Sequence, residues 1–531
     1  MARSVVPPLN GWAGAGLFAA CSVAWTWPAL RIVVVPSEVL GRQRDALATV
    51  AFIDASRRVG LDRVDALGAW PMGNPWYHPD SWTLVLLSAL FRFADPVRLH
   101  AMVALAGVLI MGLAAERLAR AVGARSPWSW IAAVAFAHSA FASTALLEGY
   151  AYHLLNPWMP LAVFGAWKVG QHDGRWAHAG LGAVGLGGAL LTTAYVGMAT
   201  AVVIAVLGVR AAFQGRPAVI RTLVLLLGCA AIGGMYALDF QAHAVTGLTT
   251  DATVQGSSAS LVDLLPPSPA VDFERSSQSA MVSASVLALA AAAPVVLRRR
   301  RGWRGLLAAG GLGLLLSLGP HLSLDRSTTS IPLPLSFLLQ LPGASLFRFP
   351  ARLGWAWALC GGLVAALVAT ELGRRNGRPA LLVLGLVGID AFLGLGLPKR
   401  QRTMVATTPS AYRSSAGPVL DLFPGEFDPG FGLLWYSRLA CFAQVGHQRS
   451  IPYDCIGTSG DPGSAAAAAY RDALLNDWPL PAPIPHSIAF HPDFFRANDR
   501  ETILSSLLAY DDTPVVSMDG GDHVVLFDLP R

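Results

Sequence analysis

Charge is scarce in this chain. Only 14% of its 531 residues are charged and 54% are hydrophobic, against roughly 25% charged in an ordinary soluble domain. A surface that faces water throughout is therefore excluded. Lysine is nearly absent, with only Lys168 and Lys399, so arginine carries almost all the positive charge. The net charge of +6 does not make a nucleic-acid binder, because the basic residues lie in short clusters between apolar runs and not on one face. Cysteine is rare too. Of the five, Cys21, Cys229 and Cys360 lie inside apolar runs, and only Cys441 and Cys455, in the polar C-terminal region, are placed to bridge. There is no CxxC or Cys/His spacing for a common zinc site. GxSxG, a P-loop, GxGxxG after a strand and HExxH are all missing, so hydrolase, NTPase, dinucleotide and zincin readings have no motif support.

Long apolar runs are abundant. A membrane-crossing helix needs about 20 predominantly apolar residues, and candidate spans centre near 12–34, 98–116, 127–146, 155–170, 177–193, 195–213, 219–238, 279–297, 304–320, 352–370 and 379–397. The first follows a single positive charge, Arg3, and lacks a clear cleavage site, so it reads as a retained span and not a signal peptide. With Arg3 cytoplasmic, the alternate loops should be arginine-rich. They hold Arg117, Arg120 and Arg125; Lys168 and Arg175; Arg210, Arg216 and Arg221; Arg298 to Arg301 with Arg304; and Arg374, Arg375 and Arg378. All fall on one side, which predicts an odd span count and an extracytoplasmic C-terminus. Cys441 and Cys455 would then lie where a disulfide can persist.

The fold class expected is thus a polytopic α-helical membrane protein of about eleven spans over residues 1–398, with a small extracytoplasmic α/β domain over 399–531. The long loops, 36–97, 239–278 and 321–351, lie on the outward face. In the first, Trp70-Pro71-Met72-Gly73-Asn74-Pro75-Trp76-Tyr77-His78-Pro79 precedes an apolar segment, Trp82 to Phe93, that is too short to span and predicts an interfacial helix. Beyond Lys399 the runs 417–422, 515–517 and 523–527 alternate like strands, 500–510 has helical spacing, and Asp519-Gly520-Gly521-Asp522 predicts a turn.

Several polar residues are candidates for chemistry. Asp45, just after the first span, suits a general base at the membrane surface, or a helix N-terminal acid that complements the dipole. Asp54, nine residues on, is a weaker candidate of the same kind. Glu148, Tyr150, Tyr152, His153 and Asn156 crowd a tight outward turn, as a sugar-binding cluster or as an aromatic belt with solvated polar tips. Arg348 and Arg352 break the charge bias where the third outward loop meets a span. They suit bidentate grip of a lipid phosphate, or neutralisation by Asp325 or anionic lipid. His447 with Arg449, and His491 with Asp493, read as ordinary surface or turn residues.

This layout resembles bacterial membrane glycosyltransferases of the GT-C class, in particular the group related to protein mannosyltransferase and arabinose transferase. Asp45 matches the family's acidic position in the first outward loop. Trp70 to Trp82, which includes Tyr77, is similar to that loop. Gly149 to Asn156 followed by Pro157-Trp158-Met159-Pro160 resembles the second outward turn, and Arg348-Phe349-Pro350-Ala351-Arg352 resembles an Arg-x-Pro-x-Arg element. The sequence departs in having Arg44 before Asp45 where a glycine is common, and in lacking a second Asp-x-Asp pair, which leaves any divalent metal unassigned. The resemblance implies sugar transfer from a polyprenyl-phosphate donor to an unidentified acceptor at the outer face of the cytoplasmic membrane. Asp45 would be the base, Arg348 and Arg352 would hold phosphate, and Glu148, His153, Asn156 and Tyr77 would contact substrate. The rival is a non-enzymatic membrane protein, a transporter or an envelope-assembly scaffold, with His138 and Asp390 as the charges inside spans.

Overall fold

The computed structural model describes residues 11–36, 38–41, 44–59, 64–65, 74–75, 82–243, 255, 258–261, 283–300, 302–324, 327–340, 350–375, 383, 385–389, 403–405, 409–422, 444, 462–518 and 523–529. Among the described residues, five helical segments are long and apolar enough to cross a membrane: Gly14–Val34, Pro96–Ala121, Ala194–Ala212, Arg216–Leu238 and Pro350–Arg374. They belong to α1 (Gly11–Val34), α4 (Pro96–Ala121), α9 (Ala194–Ala212), α10 (Arg216–His243) and α14 (Trp355–Arg375). Between them lie α2 (Arg44–Val59), α3 (Trp82–Leu90), α5 (Trp130–Ala137), α6 (Ala140–Glu148), α7 (Trp158–Val169), α8 (Trp176–Thr192), α11 (Ala284–Val296), α12 (Trp303–Ser317) and α13 (Pro334–Leu338). The expected span at 127–146 is two helices. His138 and Ser139 interrupt it, and the Ser139 hydroxyl accepts from the Ala142 amide at 3.3 Å to start α6. Of the expected span 379–397, only residues 383 and 385–389 are described, all helical.

The α14 helix lies at the centre of the bundle, its apolar window buried throughout. Lipid is as apolar as leucine, so the helices gain little from burying hydrophobic surface against one another and depend on close van der Waals contact. Small residues provide it. A Cβ on Gly310 would meet Cys360 at 3.1 Å, and one on Gly185 would meet the Ala162 backbone at 2.6 Å.

The arginine-bearing helix ends touch each other. Arg300 donates to the carbonyls of Val122 at 3.2 Å and Gly123 at 2.7 Å. The Arg125 amide donates to Thr370 at 3.1 Å, Arg221 reaches the Gln171 carbonyl at 3.4 Å, and Arg210 lies 4.6 Å over Trp167.

The short α3 buries Leu84, Val85 and Ser88 and leaves Leu86 and Leu90 exposed, as are Phe91 and Phe93 in the turn after it. One face of α3 is thus packed on protein and the other is apolar and exposed. A mixed sheet occupies the C-terminal region. With β1 (Glu38–Leu40), β2 (His321–Leu324), β3 (Ser327–Pro332) and β4 (Thr403–Val405) before them, its strands are β5 (Val419–Leu422), β6 (Ser487–Phe490), β7 (Val515–Ser517) and β8 (Val524–Asp528). The order is β5-β6-β8-β7, with β5 and β6 parallel and the other pairs antiparallel. The helices α15 (Pro462–Leu475) and α16 (Ala497–Leu508) cover one face, burying Tyr470, Leu474, Ile503 and Leu507 against Leu420, Ile488, Phe490 and Phe527.

Two contacts tie this sheet region to the start of the chain. Strand β1 pairs antiparallel with β4, Val39 opposite Met404, and Ala51 of α2 belongs to the same apolar cluster as the sheet core.

His491 is not the surface residue expected from sequence. It is buried, with Nε2 3.0 Å from Asp421 Oδ1 and 3.1 Å from the Tyr412 hydroxyl, which itself donates to Asp421. Its partner comes from a strand 70 residues away in sequence, so no local pattern announced the pairing. Asp493 is exposed and lies 3.8 Å from His523. His447 and Arg449 lie outside the described residues.

Candidate functional site

The turn from Gly149 to Asn156 is built by helix-end chemistry. The α6 helix stops at Gly149, whose φ of +86° is the left-handed C-cap glycine adopts without strain. A 3-10 turn, Ala151–Leu154, follows, and Asn156 Oδ1 then accepts from the Met159 amide at 3.1 Å to begin α7. His100, buried near the start of α4, bonds the Gly149 carbonyl through Nε2 at 2.9 Å. On its other side the turn meets the start of α2. A Cβ on Gly149 would overlap the Ala46 backbone, and one on Gly41, φ +113°, would come within 3.0 Å of Gly149 Cα.

This contact brings the Asp45 backbone, adjacent to Ala46 in α2, to the same place as the turn. Of Asp45 and Glu148 the structure describes the helical backbone and not the side chains, while Tyr77, Arg348, Asp325, Asp390, Cys441 and Cys455 lie outside the described residues. Asp54 is buried and ion-paired with Arg58 and, at 3.5 Å, with Arg57. Two arginines on its own helix therefore occupy it, which makes it a poor base.

The described part of the site is aromatic and cationic. His153, buried, stacks on Tyr150 with centroids 5.2 Å apart and an interplanar angle of 15°, and the edge of Tyr152 meets it at 4.6 Å. The Arg352 guanidinium, from the 3-10 turn Pro350–Gly354 that leads into α14, lies 5.4 Å from the Tyr150 centroid and 4.6 Å from that of Tyr195. Cation–π contacts of this kind hold an arginine in place. Asn156 is fully buried, and its Nδ2 has no partner among the described residues. The end of α8 closes one side, where Thr192 Oγ1 lies 3.3 Å from Thr83 of α3. His153 and Arg352 thus meet at the Tyr150 ring, and Asn156 follows three residues after His153 in the same turn. His100, Tyr195, Ala46 and Gly41 were missed, because each acts through a contact between segments distant in sequence. Among the described residues no group of three His, Cys, Asp or Glu is placed to hold a metal.

Burial, and secondarily the Arg352 charge, hold the His153 imidazole well below its ordinary pKa, so the ring is neutral at pH 7. The unfolded chain then binds this proton more readily than the folded one. The stabilisation is complete above the unfolded value of about 6.5 and is lost as the pH falls below it. The melting temperature of the purified protein should drop between about pH 7 and pH 5, and His153→Gln should remove part of that drop. An identical slope in the variant would show that another group titrates.

No protein-family model and no curated protein matches this sequence. Solved structures do. A mutant of arabinofuranosyltransferase AftD from Mycobacteria shares 15% identity at a TM-score of 0.51, over 99% of this chain and 42% of that one. ArnT from Cupriavidus metallidurans, bound to undecaprenyl phosphate, shares 12% at 0.48, over 98% of each chain. This chain therefore spans less than half the length of AftD. At such identity the likeness speaks to architecture, and the architecture is the GT-C fold of polytopic membrane glycosyltransferases that the sequence resembles.

Proposed function

We propose that the protein is a glycosyltransferase that moves a sugar from a polyprenyl-phosphate-linked donor to an acceptor at the outer face of the cytoplasmic membrane. The observation that carries this reading is the contact of the Asp45-bearing helix start, through Ala46, with the Gly149–Asn156 turn, on whose rings Arg352 rests. An inverting displacement needs a base on one side of the anomeric carbon and a stabilised phosphate leaving group on the other. Asp45 takes the proton of the acceptor hydroxyl as its oxygen bonds to the anomeric carbon. The bond from that carbon to the donor phosphate oxygen breaks, and the polyprenyl phosphate departs with the electron pair. Arg352, with Arg348, holds the charge that develops on it through N–H donors. Neutral His153, Glu148, Asn156 and Tyr77 orient the sugar. The fold shared with an arabinofuranosyltransferase supports the reaction class.

In this reading the arginine-bearing ends and the N-terminus are cytoplasmic, and residues 399–531 form an extracytoplasmic domain beside the site. Mass spectrometry of polyprenyl-phosphate sugars in cells lacking the protein tests it. One lipid-linked sugar should accumulate, and the native chain should clear it; an unchanged lipid pool would rule out the donor. A transport reading draws on the broken helix at His138, whose Nε2 lies 3.3 Å from Ser22 in the bundle. Loss of function in His138→Phe with full function in Asp45→Asn would favour it.

A further inference from the structure

The α2 helix is held from two sides. Its inward residues Ala46, Leu47, Val50 and Ile53 are buried in the apolar core of the bundle. Ala51, one turn after Leu47, is 4% exposed and belongs to the apolar cluster of the sheet core, which also holds Leu420, Leu422, Tyr470 and Phe490. Just upstream, Glu38, Val39 and Leu40 pair with Val405, Met404 and Thr403 on the way into the sheet region. Gly41 connects the two elements and touches the Gly149 turn. Strand β1 therefore contacts the bundle and strand β4, and helix α2 the bundle and the apolar cluster of the C-terminal sheet. A shift of the sheet is transmitted to the helix start, because closely packed contacts resist gradual deformation.

We propose that the C-terminal sheet region is a positioning element of the site. It holds α2 through the cluster that contains Ala51, while strand β4, upstream of the sheet in the chain, holds β1, and together they set where the helix start meets the Gly149 turn. This rests on the proposed glycosyl transfer only for its activity readout. Misplacing a reacting group by about 1 Å can cost on the order of a hundredfold in rate, so the grip acts on kcat and not on binding of the lipid tail.

The test uses the full-length chain. Ala51→Glu puts a carboxylate into the apolar cluster and weakens the grip, whereas Ala51→Ser preserves it. Ala51→Glu should lower kcat about ten- to a hundredfold with KM for the lipid donor unchanged. It should speed hydrogen exchange at residues 46–53 while 419–422, 487–490 and 524–528 stay protected. Val39→Cys with Met404→Cys, opposed across the β1–β4 pair, lies at the Cα separation a disulfide spans. Oxidising that pair in the Ala51→Glu background should restore kcat.

Unchanged kcat and exchange in Ala51→Glu would overturn the proposal, and so would a loss of kcat that the crosslink does not restore. If exchange at 46–53 rises but the native chain itself transfers no sugar, the grip stands and the transfer reading has failed.

Discussion

Asp45→Asn should lower kcat for sugar transfer by about 10²- to 10⁴-fold, the range a positioned general base contributes, with little change in KM for the lipid donor. Asparagine matches aspartate in shape and cannot take the acceptor's proton, so the change removes base chemistry and keeps bulk. Asp45 is the second residue of α2, and its interaction with the helix dipole is worth only about 0.3–1 kcal/mol. A stability loss of that size cannot produce so large a rate loss, provided the variant melts within a few degrees of the native protein. In cells lacking the protein, the lipid-linked sugar should persist when Asp45→Asn is supplied and disappear with the native chain. Full clearance by the variant would remove Asp45 from the mechanism.

Gly149→Val should be the most damaging substitution for stability. The backbone at 149 has φ +86°, where a β-branched residue is strained by about 1–3 kcal/mol. Its side chain would also overlap the Ala46 backbone, and overpacking of that kind costs about 1–3 kcal/mol more. The His100 bond to the Gly149 carbonyl, 2.9 Å long, prevents the turn from simply moving away. The melting temperature in detergent should fall sharply for Gly149→Val and less for Gly149→Ala. Trimming the opposing side chain with Ala46→Gly should recover little, since the strain and the clash with backbone atoms remain. A native melting temperature for Gly149→Val would mean that α2 and the turn do not pack as described.

Much of the architecture was legible because a bilayer restricts it. Apolar length marks the helices at 14–34, 96–121, 194–212, 216–238 and 350–374, and arginine spacing marked the loops that the structure brings into contact through Arg300, Arg125 and Arg221. Alternation marked the runs 417–422 and 523–527, where the structure has the strands Val419–Leu422 and Val524–Asp528. Hydropathy could not show the break at His138, since a capping serine inside an apolar run barely changes its average. Nor did it show the strand Ser487–Phe490, or the buried pairing of His491 with Asp421.

At the site, the sequence by itself determined which residue types are present and on which turn they stand. His153 and Asn156 fall between two apolar runs, Arg352 begins a third, and Asp45 follows the first. It could not determine that these segments meet. That was decided by a glycine at positive φ against Ala46, by His100 bonding across 49 residues, by Arg352 resting on Tyr150 and Tyr195, by strand β4 pairing back with β1, and by a C-terminal sheet whose apolar cluster includes Ala51. The physical reason is one of range. Hydropathy and helix-end signals act over one or two turns of chain, whereas a site is assembled from contacts whose partners lie tens to hundreds of residues apart and meet only when the bundle packs.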